Sequence, residues 1–174
     1  MKMHTLETAR LRLLPQTAAH AEAMYAVLCD PAIYEYEHEP PASVQALRER
    51  YARLESRWSP DGREEWLNWV IESNGRLIGF VQATVYRSGT AAIAYVLASA
   101  HWGRGYASEA VAAMVEELAA RYGVLRLHAV GQQRNRRSIR LLERLGFTPA
   151  GEARRAEVGV KPGEWLMERM AAPG

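Results

Sequence analysis

The chain has 174 residues, 48% of them hydrophobic, enough for one domain spanning 1–174 around its own apolar core. Its 22 Lys and Arg against 20 Asp and Glu leave a formal charge of +2, too even a balance to argue for nucleic acid or an anionic membrane surface. Cys29 is the only cysteine, which excludes an internal disulfide; with no signal-like leader and no apolar run near the roughly 20 residues of a membrane span, a cytoplasmic location without membrane association is expected.

Leu11 and Leu13 alternate with Arg10 and Arg12 ahead of Pro15, the period of a half-buried strand. Thr17 suits a helix cap, and Ala21, Met24, Tyr25 and Leu28 follow at helical spacing until Asp30-Pro31 stops them. Cys29, at the end of that stripe, reads as a small core residue. From Ala32 to Ala42 the composition is that of a loop, rich in Tyr34, Tyr36, Glu35, Glu37 and Glu39, and suits a substrate mouth. Ser43 opens a second helix with Val44, Leu47, Tyr51, Leu54 and Trp58 on one stripe.

Trp66–Ile71 and Leu77–Tyr86 read as a hairpin around Asn74-Gly75, and Ala91–Leu97 follows the Ser88-Gly89 turn as a third antiparallel strand. Ala110, Val111, Met114, Val115 and Leu118 then mark a long helix, and Leu125–Val130 a strand, a succession that favours a parallel pair. Asn135 begins another helix with Ile139, Leu142 and Leu145 inward and Gly146 at its end, before a last hairpin turning at Lys161-Pro162-Gly163. The expected fold is α+β: a mixed, mostly antiparallel sheet of about seven strands, split at Leu97, with about four helices.

Between the third strand and the long helix lies His101-Trp102-Gly103-Arg104-Gly105-Tyr106-Ala107. Two glycines around Arg104 let the backbone turn tightly and approach a ligand closely. A helix start with free amides is an anion site, and a pyrophosphate offers several acceptors to it. A P-loop would need Gly-Lys-Ser or Gly-Lys-Thr, and a dinucleotide fingerprint would need a third glycine where Ser108 stands.

Tyr95-Val96-Leu97, Trp102 through Ala110, Asn135-Arg136-Arg137-Ser138 and Glu143-Arg144-Leu145-Gly146-Phe147 together resemble, in order and spacing, the GNAT acetyltransferases. With the opening Thr8-Ala9-Arg10-Leu11-Arg12-Leu13 they are similar to the branch that acetylates the N-termini of ribosomal proteins, a likeness covering nearly the whole chain. The resemblance implies acetyl-CoA as co-substrate: amides of Gly103, Arg104, Gly105, Tyr106, Ala107 and Ser108 on its pyrophosphate, main chain of Tyr95, Val96 and Leu97 along the pantetheine arm, and Asn135 on the pantetheine or a water. An N–H near Leu97 would face the oxyanion.

It further implies direct transfer of acetyl to a primary amine, either a protein N-terminal α-amine or a small-molecule amine. Many members carry a tyrosine seven residues after the asparagine, where this chain has Leu142; Ser138 instead matches the serine proposed to serve the departing sulfur. Helix-start serines also act only as caps. Glu64 and Glu65, ahead of the strand at Trp66, are the candidate bases, with Glu37 a rival. A non-catalytic acyl-CoA sensing module is the alternative from another class. No metal is expected from the five histidines, nor nucleic acid from the Arg134–Arg140 basic run, and a homodimer through exposed strands is left open.

Overall fold

The computed structural model describes residues 2–36 and 39–171. The alternating segment after Arg10 becomes strand β2 (Arg12–Pro15), hydrogen-bonded to a two-residue strand β1 (Leu6–Glu7). Thr17 leads into a 3-10 turn, Ala18–His20, its amide donating to His20 Nδ1 at 3.1 Å, and helix α1 (Ala21–Leu28) starts only after it. Cys29 lies exposed at the C-terminal end of α1, not in the core as expected. Helix α2 (Val44–Leu54) is capped by Ser43 Oγ, which accepts the Ala46 N–H at 3.0 Å. The helix ends before Trp58, which is 47% exposed and bridges to Glu65, so Trp58 leaves the apolar stripe expected of it.

Strands β3 (Glu64–Ser73), β4 (Arg76–Tyr86) and β5 (Thr90–Leu97) form the expected meander. Asn74 and Gly75 have φ of 49° and 73°, the left-handed pair that a two-residue hairpin of this twist requires. Helix α3 (Tyr106–Tyr122) crosses over to strand β6 (Arg126–Gln132), parallel to β5. Helix α4 (Arg136–Arg144), strand β7 (Thr148–Pro149), helix α5 (Glu152–Val158) and strand β8 (Glu164–Met170) complete the described chain. Among the described residues the sheet has eight strands in the order β1-β2-β3-β4-β5-β6-β8-β7, one more than expected because β1 is so short. The extra helix is α5, which occupies the arm of the expected last hairpin. It buries none of its seven residues, so it carries no apolar period to read. No helix among the described residues is long and apolar enough to cross a membrane.

Two apolar layers clamp the sheet. On one face Leu13, Trp69, Val81 and Ile93 pack against Val111, Met114 and Leu118 of α3 and Leu142 of α4. On the other, Val70 meets Ala21, Met24 and Leu28 of α1 and Leu47 and Tyr51 of α2. At roughly 1.5–3 kcal/mol per fully buried large side chain, the first and larger layer dominates, and it holds β5, α3 and α4 together. Against that rigid layer the sheet opens: β5 pairs with β6 only at Thr90, Ala91 and Ala92, and from there to Leu97 the two strands diverge.

Candidate active site

The turn ahead of α3 is built from backbone conformation. Gly103 and Gly105 have φ of 74° and 79°, a region that costs other residues about 1–2 kcal/mol. The first intrahelical bond runs from the Glu109 N–H to the Gly105 carbonyl at 3.0 Å, so the amides ahead of Glu109 have no helical acceptor. Across the cavity that they line stand Arg136, Arg137, Arg140 and Arg144 of α4. Free amides at a positive helix end, faced by guanidinium groups, fit a polyphosphate.

The N-terminal segment braces this turn. Arg10 Nη1 donates to the Arg104 carbonyl at 2.8 Å, its Nε and main-chain N–H donate to Glu109 Oε2 and Oε1 at 2.7 and 2.9 Å, and Thr8 Oγ1 donates to Glu109 Oε1 at 2.7 Å. The Arg10 guanidinium also lies 4.5 Å from the centre of the Tyr106 ring. Burial alone would raise the Glu109 carboxyl, but the hydrogen bonds from Thr8 and Arg10 outweigh it and hold its pKa below the usual range.

Beside the turn, the Ala98 N–H bonds to the Ile78 carbonyl at 2.9 Å across β4. Polar groups alternate along an antiparallel strand, so those of Tyr95 and Leu97 face the other way, into the opening from β6. The Leu97 carbonyl accepts Trp102 Nε1 at 2.8 Å, and Arg137 stacks on that indole with Cζ 3.4 Å from the ring centre. Gly79 makes the geometry attainable: a Cβ there would sit 2.1 Å from the Val96 oxygen, so only glycine lets β4 run this close to the end of β5.

Side chains of β5 and α4 meet in the same cleft. Tyr95 Oη and Ser138 Oγ are 2.5 Å apart, and Asn135 Oδ1 accepts the Ser138 N–H at 3.1 Å as the cap of α4. That cap leaves Asn135 Nδ2 for any further partner. Burial pushes the Tyr95 phenol up to about 12, with the Ser138 hydrogen bond and Arg144 pulling the other way. Leu142 is fully buried in the core.

On the α1/α2 face a second cavity reaches Tyr95, Val96 and Asn135, lined by Ile33, Tyr34, Phe80, Gln82 and Ala94, with Arg50 and Glu39 exposed. Asp30 ties the two sides together: its Oδ2 accepts the Ser99 N–H at 2.7 Å and its Oδ1 the Ala32 N–H at 3.0 Å. The Ser99 bonds hold its pKa low.

Glu64 and Glu65 are not brought to this cleft. They pair with Tyr86 and Val85, whereas Leu97 pairs with Gly79, six residues along β4 and so about 20 Å away at the spacing of a strand. Glu65 is ion-paired with Arg57, and Glu64 Oε2 accepts Trp66 Nε1 at 3.0 Å. The beginning of β3 lies at the far end of the sheet because the meander runs antiparallel. Glu37 lies outside the described residues.

Residues 10–148 match the acetyltransferase (GNAT) domain family. The chain belongs to that family.

As a GNAT N-acetyltransferase it is 27% identical over 151 residues to the uncharacterized N-acetyltransferase p20 of Bacillus licheniformis, covering 86% of this chain and 85% of that protein. It is 34% identical over 116 residues to the probable N-acetyltransferase YjcK of Bacillus subtilis, covering 65% and 64%. The fold is shared with RimL, a ribosomal L7/L12 alpha-N-protein acetyltransferase solved with coenzyme A, at a TM-score of 0.81, 18% identity and coverage of 98% and 99% of the two chains. Mycobacterium smegmatis RimJ, solved with a coenzyme A disulfide, gives 0.80 at 22% identity over 96% and 87%.

Of the residues singled out from sequence, the acetyltransferase cleft gathers Tyr95, Val96, Leu97, Gly103, Gly105, Tyr106, Ala107, Ser108, Asn135 and Ser138 along its walls. Arg104 sits within the same turn, its carbonyl held by Arg10. Three contributors escaped the sequence reading. The Tyr95 side chain is hidden behind a main-chain role, Asp30 reads as a helix stop, and Arg10 reads as the polar partner in a strand and part of the opening Thr8–Leu13 motif, with nothing to announce its contact with the turn. Each acts through a contact at long sequence separation, which no local pattern announces.

Proposed function

We propose that this acetyltransferase transfers acetyl directly from acetyl-CoA to a primary α-amine, as in the branch acting on ribosomal-protein N-termini. Acetyl-CoA supplies an activated acyl group on a thiol leaving group. Amides of Gly103–Ser108 hold its pyrophosphate, and the arginines of α4 meet its remaining phosphate. The main chain of Tyr95–Leu97 pairs with the pantetheine arm as an added strand, and the Leu97 N–H donates where negative charge develops on the carbonyl oxygen. Ser138 donates to the departing sulfur.

The observation that carries the choice of amine is the poverty of carboxylates in the cleft. Among the described residues, Glu39 alone lines either cavity that meets at Tyr95, and it is exposed. An α-amine titrating near 7.7–8.0 is about one-third neutral at pH 7.5, whereas a lysine-like amine near 10.4 is about 0.1% neutral. With no buried carboxylate among the described residues to take the proton, the site favours the α-amine by roughly two orders of magnitude.

Coenzyme A release from acetyl-CoA, measured with peptides bearing a free N-terminus, the same peptides N-acetylated but retaining lysine, a polyamine, free amino acids and an aminoglycoside, tests this. Release is expected with the free N-termini, and Ser138→Ala should lower kcat by about 10- to 100-fold. Release with the polyamine or aminoglycoside alone would move the acceptor to small molecules. Tight acetyl-CoA binding with no release on any acceptor would make the protein an acyl-CoA sensor.

A further inference from the structure

The hydroxyl pair of Tyr95 and Ser138 joins residues 43 apart in sequence across the two walls of the cleft. At 2.5 Å one oxygen must donate to the other, and the phenol is the stronger acid and the better donor. Its burial keeps the phenol protonated, so that its proton is always present to give. The alternative acceptor for Tyr95, the Ser138 carbonyl, is 3.4 Å away, beyond a good O–H···O distance. With Ser138 Oγ accepting from Tyr95, the serine proton must point elsewhere. The Ser138 main chain is fixed by the Asn135 cap, and its side chain borders the cavity shared with Leu97 and Arg137.

We infer that Tyr95 is a positioning residue: by donating to Ser138 Oγ it turns the serine hydroxyl proton into the cleft, toward the sulfur of the thiol leaving group. This rests on the reading above that acetyl-CoA lies in the opening between β5 and β6. No proton leaves either oxygen. As the thioester C–S bond breaks, sulfur keeps the electron pair and accepts a hydrogen bond from Ser138, the amine nitrogen takes the acyl carbon, and the surplus proton of the amine passes to solvent. Ser138, oriented by Tyr95, thereby meets the sulfur from α4, which Leu142, fully buried on the same helix, has no means of doing.

The competing account is that the pair merely pins α4 to β5. Binding separates the two without an acceptor. Free coenzyme A and acetyl-CoA would be titrated calorimetrically into wild type, Tyr95→Phe and Ser138→Ala at pH 7 and pH 9.5, around the ordinary thiol pKa of about 8.5. A hydroxyl aimed at sulfur favours the thiolate, so in wild type the affinity for coenzyme A relative to acetyl-CoA should rise about sevenfold between the two pH values, the ratio expected if the bound thiol titrates one unit lower. Arg137 of α4 and Tyr36 face the same cavity and Arg144 acts on Tyr95 from nearby; the acetyl-CoA control removes pH effects common to both ligands, and any pull of these groups on the thiolate is the same in all three proteins, so the difference between wild type and variant reports the hydroxyl pair.

Tyr95→Phe should shrink that rise below threefold, and Ser138→Ala should abolish it. A lowered unfolding midpoint in Tyr95→Phe with the full rise retained would overturn the positioning role and leave only the pin. A full rise retained in Ser138→Ala as well would remove the serine from the sulfur, and failure of wild type to bind either compound would overturn the underlying placement of acetyl-CoA.

Discussion

On the α3/α4 side of β5 the cleft is framed by main-chain amides, a helix start and a cap, held by a large apolar layer and faced by the arginines of α4. On the α1/α2 side the lining is the side chains of Ile33, Tyr34, Phe80 and Gln82, over a smaller layer. In the proposed function the α3/α4 side meets a donor that is the same for every reaction of this kind, so its demands fall on backbone conformation, and the α1/α2 side meets the amine, whose choice would be set by side chains on a loop.

The largest effect should come from breaking the donor turn itself. Gly105→Val forces a β-branched residue to φ near 79° and brings its Cβ to 3.3 Å from Arg10 Nη2. Acetyl-CoA affinity should fall by about 100-fold or more, with an unfolding midpoint only a few degrees lower, because the turn is on the surface. Calorimetric titration and thermal unfolding of one preparation check both. Retained affinity would show that the amides do not hold the phosphates.

Next comes a test of the boundary between the two sides. Glu65→Gln should leave kcat within about twofold, because Glu65 is remote from the cleft, while lowering stability by about 1–2 kcal/mol. The reason is its ion pair with Arg57, in which the side chains are 19% and 14% exposed, so loss of the partner leaves a mostly buried guanidinium poorly compensated. A large fall in kcat at unchanged stability would return Glu65 to the chemistry.

These tests also mark what the sequence could disclose. Periods of two and of 3.6 residues, together with Asn74-Gly75, Gly105 and Ser43, announce the meander and four of the helices because each is a local demand on φ, ψ or a cap. Helix α5 stays silent because a surface helix of seven residues buries nothing. Glu64 and Glu65 suit a base by sequence because the beginning of their strand is expected to face the acceptor, but which end of a strand meets the cleft is decided by its pairing with β4, which no local pattern shows. Ser138 was legible through its place after Asn135, whereas its partner Tyr95 becomes visible only when β5 and α4 come together.

A smaller effect should follow removal of the brace behind the turn. Arg10→Met should weaken acetyl-CoA binding about three- to tenfold and leave the acceptor KM unchanged, since the half-exposed guanidinium touches the Arg104 carbonyl and Glu109 but neither wall of the acceptor cavity. The same brace has a pH signature. A carboxyl whose folded pKa is depressed stabilises the protein above its unfolded pKa and loses that contribution as pH falls through the folded value. The stability difference between wild type and Glu109→Gln should therefore be full at pH 7 and shrink as pH drops below 4.5.

The smallest effect is expected on the acceptor side, at Tyr51. Its side chain is buried in the layer between α1, α2 and β3, and its hydroxyl has no hydrogen-bond partner among the described residues. Tyr51→Phe removes an unpaired polar atom at the cost of little volume, and should raise stability by about 0.5–1 kcal/mol with activity unaltered. Burial pushes the Tyr51 phenol up to about 12 from 10.0. A phenol raised in the folded state contributes stability that is complete below the unfolded value and is lost as pH rises from there toward the folded one. The advantage of Tyr51→Phe should then be constant from pH 6 to 9 and grow above pH 10, as wild type alone pays for a buried group that its unfolded chain would ionise. An unchanged difference across pH 10 would mean that this hydroxyl reaches water, and that the acceptor side of the fold is looser than its apolar packing implies.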